Sequence, residues 1–307
     1  MSGKDVIAAP LDDIVAAFQI EGAPALGRYA RLADRVIDPI LRRHDYPRPV
    51  ALLLGEALTL AALVGSLLKV RGRLIVQADG KGDVPLLVAE YRSDQKSLRG
   101  YARIAKGARE KLAAINTAPP SDLLGAGALV MTLDQGEHAA RHQGVVPLDG
   151  ATLAECAENY FAQSEQIPTR IKLAVGETYA RGERAGWRAG GALMQKIAGD
   201  IARGATDDSW ARAEILFATL TDAEMLDPAL SADRVLYRLF HEGGVRMSAP
   251  DALIEKCSCD RERLTALLSQ FNESEMADLI EPDGLIHAHC EFCSRLYLIA
   301  PEDLRSG

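Results

Sequence analysis

Apolar positions along the chain change period several times, and the changes predict its elements. Residues 11–18 carry a weak apolar signal that fits a short helix or a strand edge. Over 27–44, Tyr29, Leu32, Val36, Ile40 and Leu41 fall at helical spacing with Arg31, Arg35 and Arg42 between them, which predicts a helix kinked or divided at Pro39. Residues 51–68 are almost wholly apolar and about as long as a membrane span, but Glu56 lies inside them, where hydrocarbon would penalise a carboxylate. A buried core helix is the better reading. From Arg73 the period drops to two: strands are expected at 73–78, 84–91, 98–104 and 125–133, with turns at 79–82 and 134–136 and an antiparallel return over 139–146. A helix over 153–161 and a strand over 169–175 follow, and Gly190, Gly191 and Gly199 read as the close of this region. Sheet meanders with intervening helices, instead of strict strand–helix alternation, predict an α+β fold, with a mixed sheet-and-helix domain over 1–199.

Residues 200–248 read as a helical linker. One helix is expected over 207–220, capped by Asp207 or Asp208, with Trp210, Ala213, Leu216, Phe217 and Leu220 in one stripe. A second opens at Thr221 with Glu224 at the capping-box position and stops at Pro228; a third runs over 232–241. Short helices split by Gly and Pro have no large core of their own and must borrow burial from the domain before them and the metal site after them. Such a segment suits a bistable element; a plain helical spacer is the alternative. Residues 249–307 predict a small C-terminal domain: a helix through Leu264, Leu267 and Leu268, a second over 272–280, a turn at 282–284, and paired strands at 285–289 and 296–299.

Composition narrows the partners. The chain has 307 residues, 48% hydrophobic and 25% charged, enough for a sizeable core. A net charge of −8 disfavours phosphate-backbone binding, and 5% aromatics disfavours base stacking. Residues 1–10 lack a cationic-then-apolar leader pattern, so a reducing, cytoplasmic setting is expected.

The chemistry gathers near the C-terminus. Four of the five cysteines form two close pairs, Cys257-x-Cys259 and Cys290-x-x-Cys293, about thirty residues apart. Each pair can supply two corners of a tetrahedral thiolate site for Zn2+, and four thiolates leave no position for water, so the site would be structural. Packed reduced thiols, two structural disulfides, or His287 or His289 in place of one thiolate are the alternatives. Each pair is also close enough to collapse into its own disulfide, which would remove the ligand set. A segment of about sixty residues has only a marginal core without such a staple, so oxidation should unfold it. Other motif-like features carry little. Gly125-Ala-Gly127 lacks the third glycine of a dinucleotide fingerprint; His138 and His142, beside Glu137, fit a hairpin; Cys156 fits a packed core thiol.

These features together resemble the redox-regulated heat-shock protein 33 (33 kDa chaperonin) family. The cysteine spacing carries the resemblance, with Arg71-Gly-Arg-Leu-Ile-Val-Gln77, Leu98-Arg-Gly-Tyr-Ala102, Tyr160-Phe161, Ser164-Glu-Gln-Ile-Pro-Thr169, Gly190-Gly191 and Leu236-Tyr-Arg-Leu-Phe-His-Glu242 in the family's order. Glu255 stands where the family often has an aromatic, and Asp260 replaces a commoner small polar residue. The resemblance implies a holdase that needs no ATP and is not an enzyme. One zinc per chain would be held by Cys257, Cys259, Cys290 and Cys293 in an inactive reduced form. Peroxide or hypochlorite with heat would pair Cys290 with Cys293, then Cys257 with Cys259, release the metal, loosen the linker and expose apolar surface to unfolding clients. By the same resemblance the active form is a homodimer joined through its N-terminal domains. A zinc enzyme would need an open coordination position and a general base; a zinc-ribbon adaptor would need a basic face, and acidic residues outnumber basic ones over 249–307.

Overall fold

Two sheets hold one apolar helix between them. The computed structural model describes residues 12–135, 141–150, 152–178, 185–198 and 206–304. The first sheet contains β1 (Ile14–Ile20), β2 (Ala25–Leu32), β8 (Thr169–Thr178), β9 (Gly186–Lys196), β10 (Val245–Met247) and β11 (Asp251–Ala252). Its order is β10-β1-β2-β9-β8, all antiparallel, with β11 also pairing along β1. The second sheet contains β3 (Arg73–Gly80), β4 (Leu86–Arg92), β5 (Ser97–Arg103), β6 (Gly127–Asp134), β7 (His142–Pro147) and β12 (Ile254–Glu255), in the order β12-β5-β4-β3-β6-β7. Only β12 runs parallel to its neighbour.

Helix α1 (Ile37–Arg42) leads into α2 (Arg48–Gly65), which touches β2, β8 and β9 of one sheet and β3, β4 and β5 of the other. Among the described residues α2 is the one helix long and apolar enough to cross a membrane, and 83% of that window is buried inside the fold. Being apolar on nearly every side, it suits a position between two sheets. Burial pushes the Glu56 carboxyl up to about 7, with the Asp222 charge adding to the effect. Short helices α3 (Arg109–Ala113) and α4 (Pro120–Leu124) connect strands. Helix α5 (Leu153–Tyr160) opens on a Thr152–Glu155 capping box, buries Cys156, and runs into a π-helical turn at Phe161–Glu165.

Helices α6 (Asp207–Ala218), α7 (Asp222–Leu226) and α8 (Ala232–Phe240) cover the other face of the first sheet. Their Trp210, Phe217, Met225, Leu236 and Phe240 form one cluster with Phe18, Tyr29, Ala192 and Met194 of the strands, so the burial expected from the preceding domain is supplied by the first sheet. Thr206, not Asp207 or Asp208, caps α6, because its hydroxyl reaches the Ser209 amide; Thr221 and Glu224 form the expected box on α7.

The structure corrects two further expectations. Residues 27–44 are not one kinked helix: Gly27, Tyr29 and Arg31 alternate along β2, paired on both sides, and only 37–42 are helical, with Pro39 in the first turn where a missing amide is harmless. Gly190 and Gly191 do not close a region; they sit inside β9, where the Met225 backbone on one side and the Thr59 and Leu63 side chains on the other approach too closely for a side chain. Leu11, Gly136, Glu137, His138 and Gly199 lie outside the described residues.

Contacts divide the chain into Met1–Glu255 and Lys256–Gly307. The second unit holds α9 (Arg261–Leu268), α10 (Glu273–Ala277), and a hairpin of β13 (Ile286–His289) and β14 (Leu296–Ile299), closed by a 3-10 turn at Pro301–Leu304. Its buried core among the described residues is Leu268, Ile286, Ile299 and Leu304.

Candidate metal centre

The second unit converges on its four thiols. Cys257 and Cys259 precede α9, whose first turn is capped by Asp260: the carboxylate accepts from the Arg263 amide at 2.7 Å. The departure from the commoner small polar residue thus keeps a capping side chain and adds a negative charge at the positive end of the helix. Cys290 and Cys293 lie in the tight connection between β13 and β14. There the Ser294 amide donates to the Cys290 carbonyl at 2.7 Å, Ser294 takes a left-handed φ of 55°, and the Cys290 amide donates to the Arg295 carbonyl at 3.0 Å. The turn aims both side chains to one side of the hairpin end.

The four Sγ atoms lie within 4.8 Å of one another, with Cys257 and Cys290 at 3.7 Å and Cys259 and Cys293 at 3.3 Å. A Zn–S bond of ~2.3 Å sets the edge of a four-sulfur tetrahedron at about 3.8 Å, so these separations fit a metal of that size. All five cysteines of the chain are free thiols. Among the described residues no histidine joins the cluster: His287 is bonded to Asp283 at 2.8 Å, and His289 lines the open side of the site beside Cys259 and Cys290.

Electrostatics shows why the cluster calls for a cation. Burial works to raise the Cys259 thiol, but hydrogen bonds from the Tyr297 hydroxyl, at 3.1 Å, and from the neighbouring thiols outweigh it and bring it down to about 7. Burial, with the neighbouring thiols adding to it against a bond from the Arg295 amide, pushes Cys293 up to about 12. Four thiolates this close repel one another and need a divalent ion to coexist. Tyr297 was missed in the sequence reading; its position four residues after Cys293, on a strand, was the available signal.

The remaining candidates fall elsewhere. Cys156 is 1% exposed in α5, as expected of a packed thiol. Gly125 ends α4 with a φ of 67° and Gly127 opens β6 against the Asp79 carbonyl, so this glycine pair serves a close strand approach and opens no helix. Glu255, at the family's aromatic position, pairs with Arg43 at 3.0 Å.

An α+β body followed by a small four-thiol unit defines a class of cysteine-clasped two-part proteins, and comparison with known proteins narrows it. The family model described as "Hsp33 protein" matches residues 13–300. The 33 kDa chaperonin of Caulobacter vibrioides is 50% identical over 295 residues, covering 95% of this chain and 96% of that protein. That of Pseudomonas aeruginosa is 39% identical over 274 residues, covering 88% and 86%. The crystal structure of the 33 kDa chaperonin (heat-shock protein 33 homolog) from Thermotoga maritima matches with a TM-score of 0.73 at 25% identity, covering 95% and 97% of the two chains. This chain belongs to the Hsp33 family of chaperones.

Proposed function

We propose that this chain is a redox-controlled, ATP-independent holdase that captures unfolding proteins under oxidative and heat stress, acting in the cytoplasm without nucleic acid, membrane or enzymatic turnover. In this reading residues 1–199 form the client-binding and dimerisation domain, 200–248 a redox-sensitive linker, and 249–307 the switch. Cys257, Cys259, Cys290 and Cys293 hold one Zn2+ in the reduced, inactive form. Bound there, the ion supplies charge neutralisation and a four-way cross-link. The observation that carries the proposal is the pairing of that cluster with a core of only four buried side chains among the described residues, too small to keep some fifty residues ordered.

Oxidation acts on the sulfurs. Two thiols of a pair give two electrons to one peroxide, forming one S–S bond and two waters; Cys290–Cys293 and Cys257–Cys259 together consume two peroxides. Neither disulfide retains a ligand pair, so the metal is lost with the order of the unit. Loss of order extends to α6–α8, which rest on a separate apolar cluster of the first sheet, and their departure leaves Phe18, Tyr29, Ala192 and Met194 open to clients and to a second copy of the chain.

The test is light scattering of a heat-denatured globular protein, without nucleotide, with reduced or peroxide-treated chain. Suppression only after oxidation, accompanied by release of one zinc per chain, supports the proposal; equal suppression by both forms refutes the redox control.

A further inference from the structure

The sheet face beneath α6–α8 is not simply apolar. Along β9, Arg188, Gly190, Ala192 and Met194 alternate on that face; on β2 the matching row is Gly27, Tyr29 and Arg31, and on β8 it is Lys172, Ala174 and Gly176. The register sets Arg31 beside Gly190 and Lys172 beside Ala192. Three cations therefore stand among the apolar and glycine positions, and each donates to main-chain carbonyls of the covering segment. Lys172 Nζ donates to the Ala218 and Leu220 carbonyls, at 2.7 Å each, where α6 ends. Arg188 Nε donates to the Leu226 carbonyl, the last of α7, at 3.1 Å. Arg31, 1% exposed, donates from Nη2 to the Asp227 carbonyl at 2.7 Å and from Nη1 to the Leu230 carbonyl, while Asp12 binds both arginines.

Gly190 explains how α7 comes so near. A Cβ there would lie 2.6 Å from the Met225 carbonyl oxygen and 2.8 Å from the Met225 Cβ. The notch seats the last turn of α7, flanked by the two arginines that take the carbonyls beyond it. The contacts are to backbone and so are indifferent to the side chains of the docked segment. They suit a helix end in particular, where several carbonyls lack an intrahelical partner and the helix dipole adds negative potential. An extended strand sends alternate carbonyls to opposite edges and cannot offer such a group.

We propose that this face is a receptor for helix C-termini, and that the partner it takes once α6–α8 leave is a partly folded chain presenting a short amphipathic helix, its apolar stripe on Tyr29, Ala192 and Met194 and its terminal carbonyls either on Arg188 and Arg31, as α7 does, or on Lys172, as α6 does. The inference rests on the release of α6–α8 proposed above. What it adds is the contact: cations of the sheet face hold the end of a helix by its main chain.

The experiment uses peroxide-treated full-length chain and two fluorescent, amide-capped peptides. One carries the chain's own residues 206–230; the other is identical except for proline at the positions of Ala213 and Glu224, which prevents helix formation. Hydrogen exchange over 207–240 is read on the same samples. The expected result is exchange of that segment after oxidation, binding of the helical peptide at least about tenfold tighter than the proline peptide, and loss of that preference in Lys172→Met and Arg188→Met with binding of the proline peptide unchanged. Lys172→Met, at a partly exposed site, keeps the test sound should Arg188→Met fail to fold. Release of 207–240 with equal binding of the two peptides, or a preference that persists in the variants, overturns the receptor and leaves the holdase reading intact. Continued protection of 207–240 after oxidation refutes the release, and the receptor with it.

Discussion

Ile299→Ala measures how far folding of the second unit and metal binding are one event. Ile299 is fully buried, sits opposite Ile286 across the hairpin, and is one of four buried side chains among the described residues of its unit. Truncating a buried isoleucine to alanine costs about 2–4 kcal/mol. If the metal-free unit is unfolded, that loss appears entirely in the apparent metal affinity, since ligand binding and folding are linked. At ~1.4 kcal/mol per tenfold, Ile299→Ala should weaken zinc binding by roughly 30- to 1,000-fold although it removes no ligand. Ile299→Val, at about 0.5–1.5 kcal/mol, should weaken it by only about two- to tenfold. The assay is competition with a chromophoric chelator on the reduced protein at fixed pH. Leu58→Ala, in the core of the first unit, is the control and should lower the melting temperature without changing zinc affinity. If both Ile299 variants bind zinc within about threefold of the parent chain, the site is preformed and the argument that the ion holds the unit folded fails.

Three more expectations follow from the same geometry. Tyr297→Phe removes the hydroxyl bonded to Cys259 and should speed peroxide-driven zinc release by about tenfold, measured with a zinc indicator; an unchanged rate would show that the hydroxyl does not restrain that sulfur. Phe217→Ala, at a buried α6 position, should weaken docking by about 3–5 kcal/mol, raise hydrogen exchange over 207–240 and give the reduced chain partial holdase activity; unchanged exchange would count against the segment as the cover. Glu56 is raised by burial to about 7, so its contribution is fully present below an unfolded value near 4.5 and is lost as pH rises through 7. Glu56→Gln should therefore gain stability relative to the parent as pH increases, approaching about 3 kcal/mol above pH 8, and melting curves between pH 5 and 8 that differ by a constant amount would refute this.

Much of this was legible in the chain because local chemistry and tertiary demand agreed. The period-two runs became β3 to β7, the capping box at Thr221 and Glu224 became α7, and the two cysteine pairs came together although about thirty residues separate them. The failures have a common cause. Tyr29, Leu32, Val36 and Ile40 satisfy helical spacing, but Gly27, Tyr29 and Arg31 satisfy alternation too, and the ladders to β1 and β9 decide between them. Gly190 and Gly191 look like punctuation in one dimension; Met225 on one side and Thr59 on the other make them a necessity of packing. The short strands β10, β11 and β12 carry no pattern of their own and exist because β1 and β5 offer open edges.

Those short strands bear on how a change at the sulfurs can reach helices far along the chain. Residues 245–255 are the covalent path from α8 to Lys256, and they pair first with β1 over three and then two residues, and then with β5 over two. One side chain in the path, Leu253, is deeply buried, at 1% exposure; Val245 and Met247 are half-buried against the α6–α8 cluster, Glu255 pairs with Arg43, and the rest is held by edge hydrogen bonds, by Ser248 on Ala17, and by exposed ion pairs such as Lys96 with Asp251. Exposed pairs of that kind contribute little. Such a strap has a low opening free energy next to the long central ladders of either sheet. While the second unit is folded, the strap's C-terminal end is continuous with an ordered unit, and closing it fixes few further residues. Once that unit is a random chain, re-forming each short pairing must order a free strand end for two or three backbone bonds, an unfavourable exchange at roughly 1–2 kcal/mol per residue fixed. Fraying then moves from Glu255 back toward Val245, and α8 loses the neighbour that pairs beside it on the sheet edge. A conserved wire of side chains is unnecessary: the order of the sequence alone places the weakest ladder between the clasp and the helices it is proposed to govern.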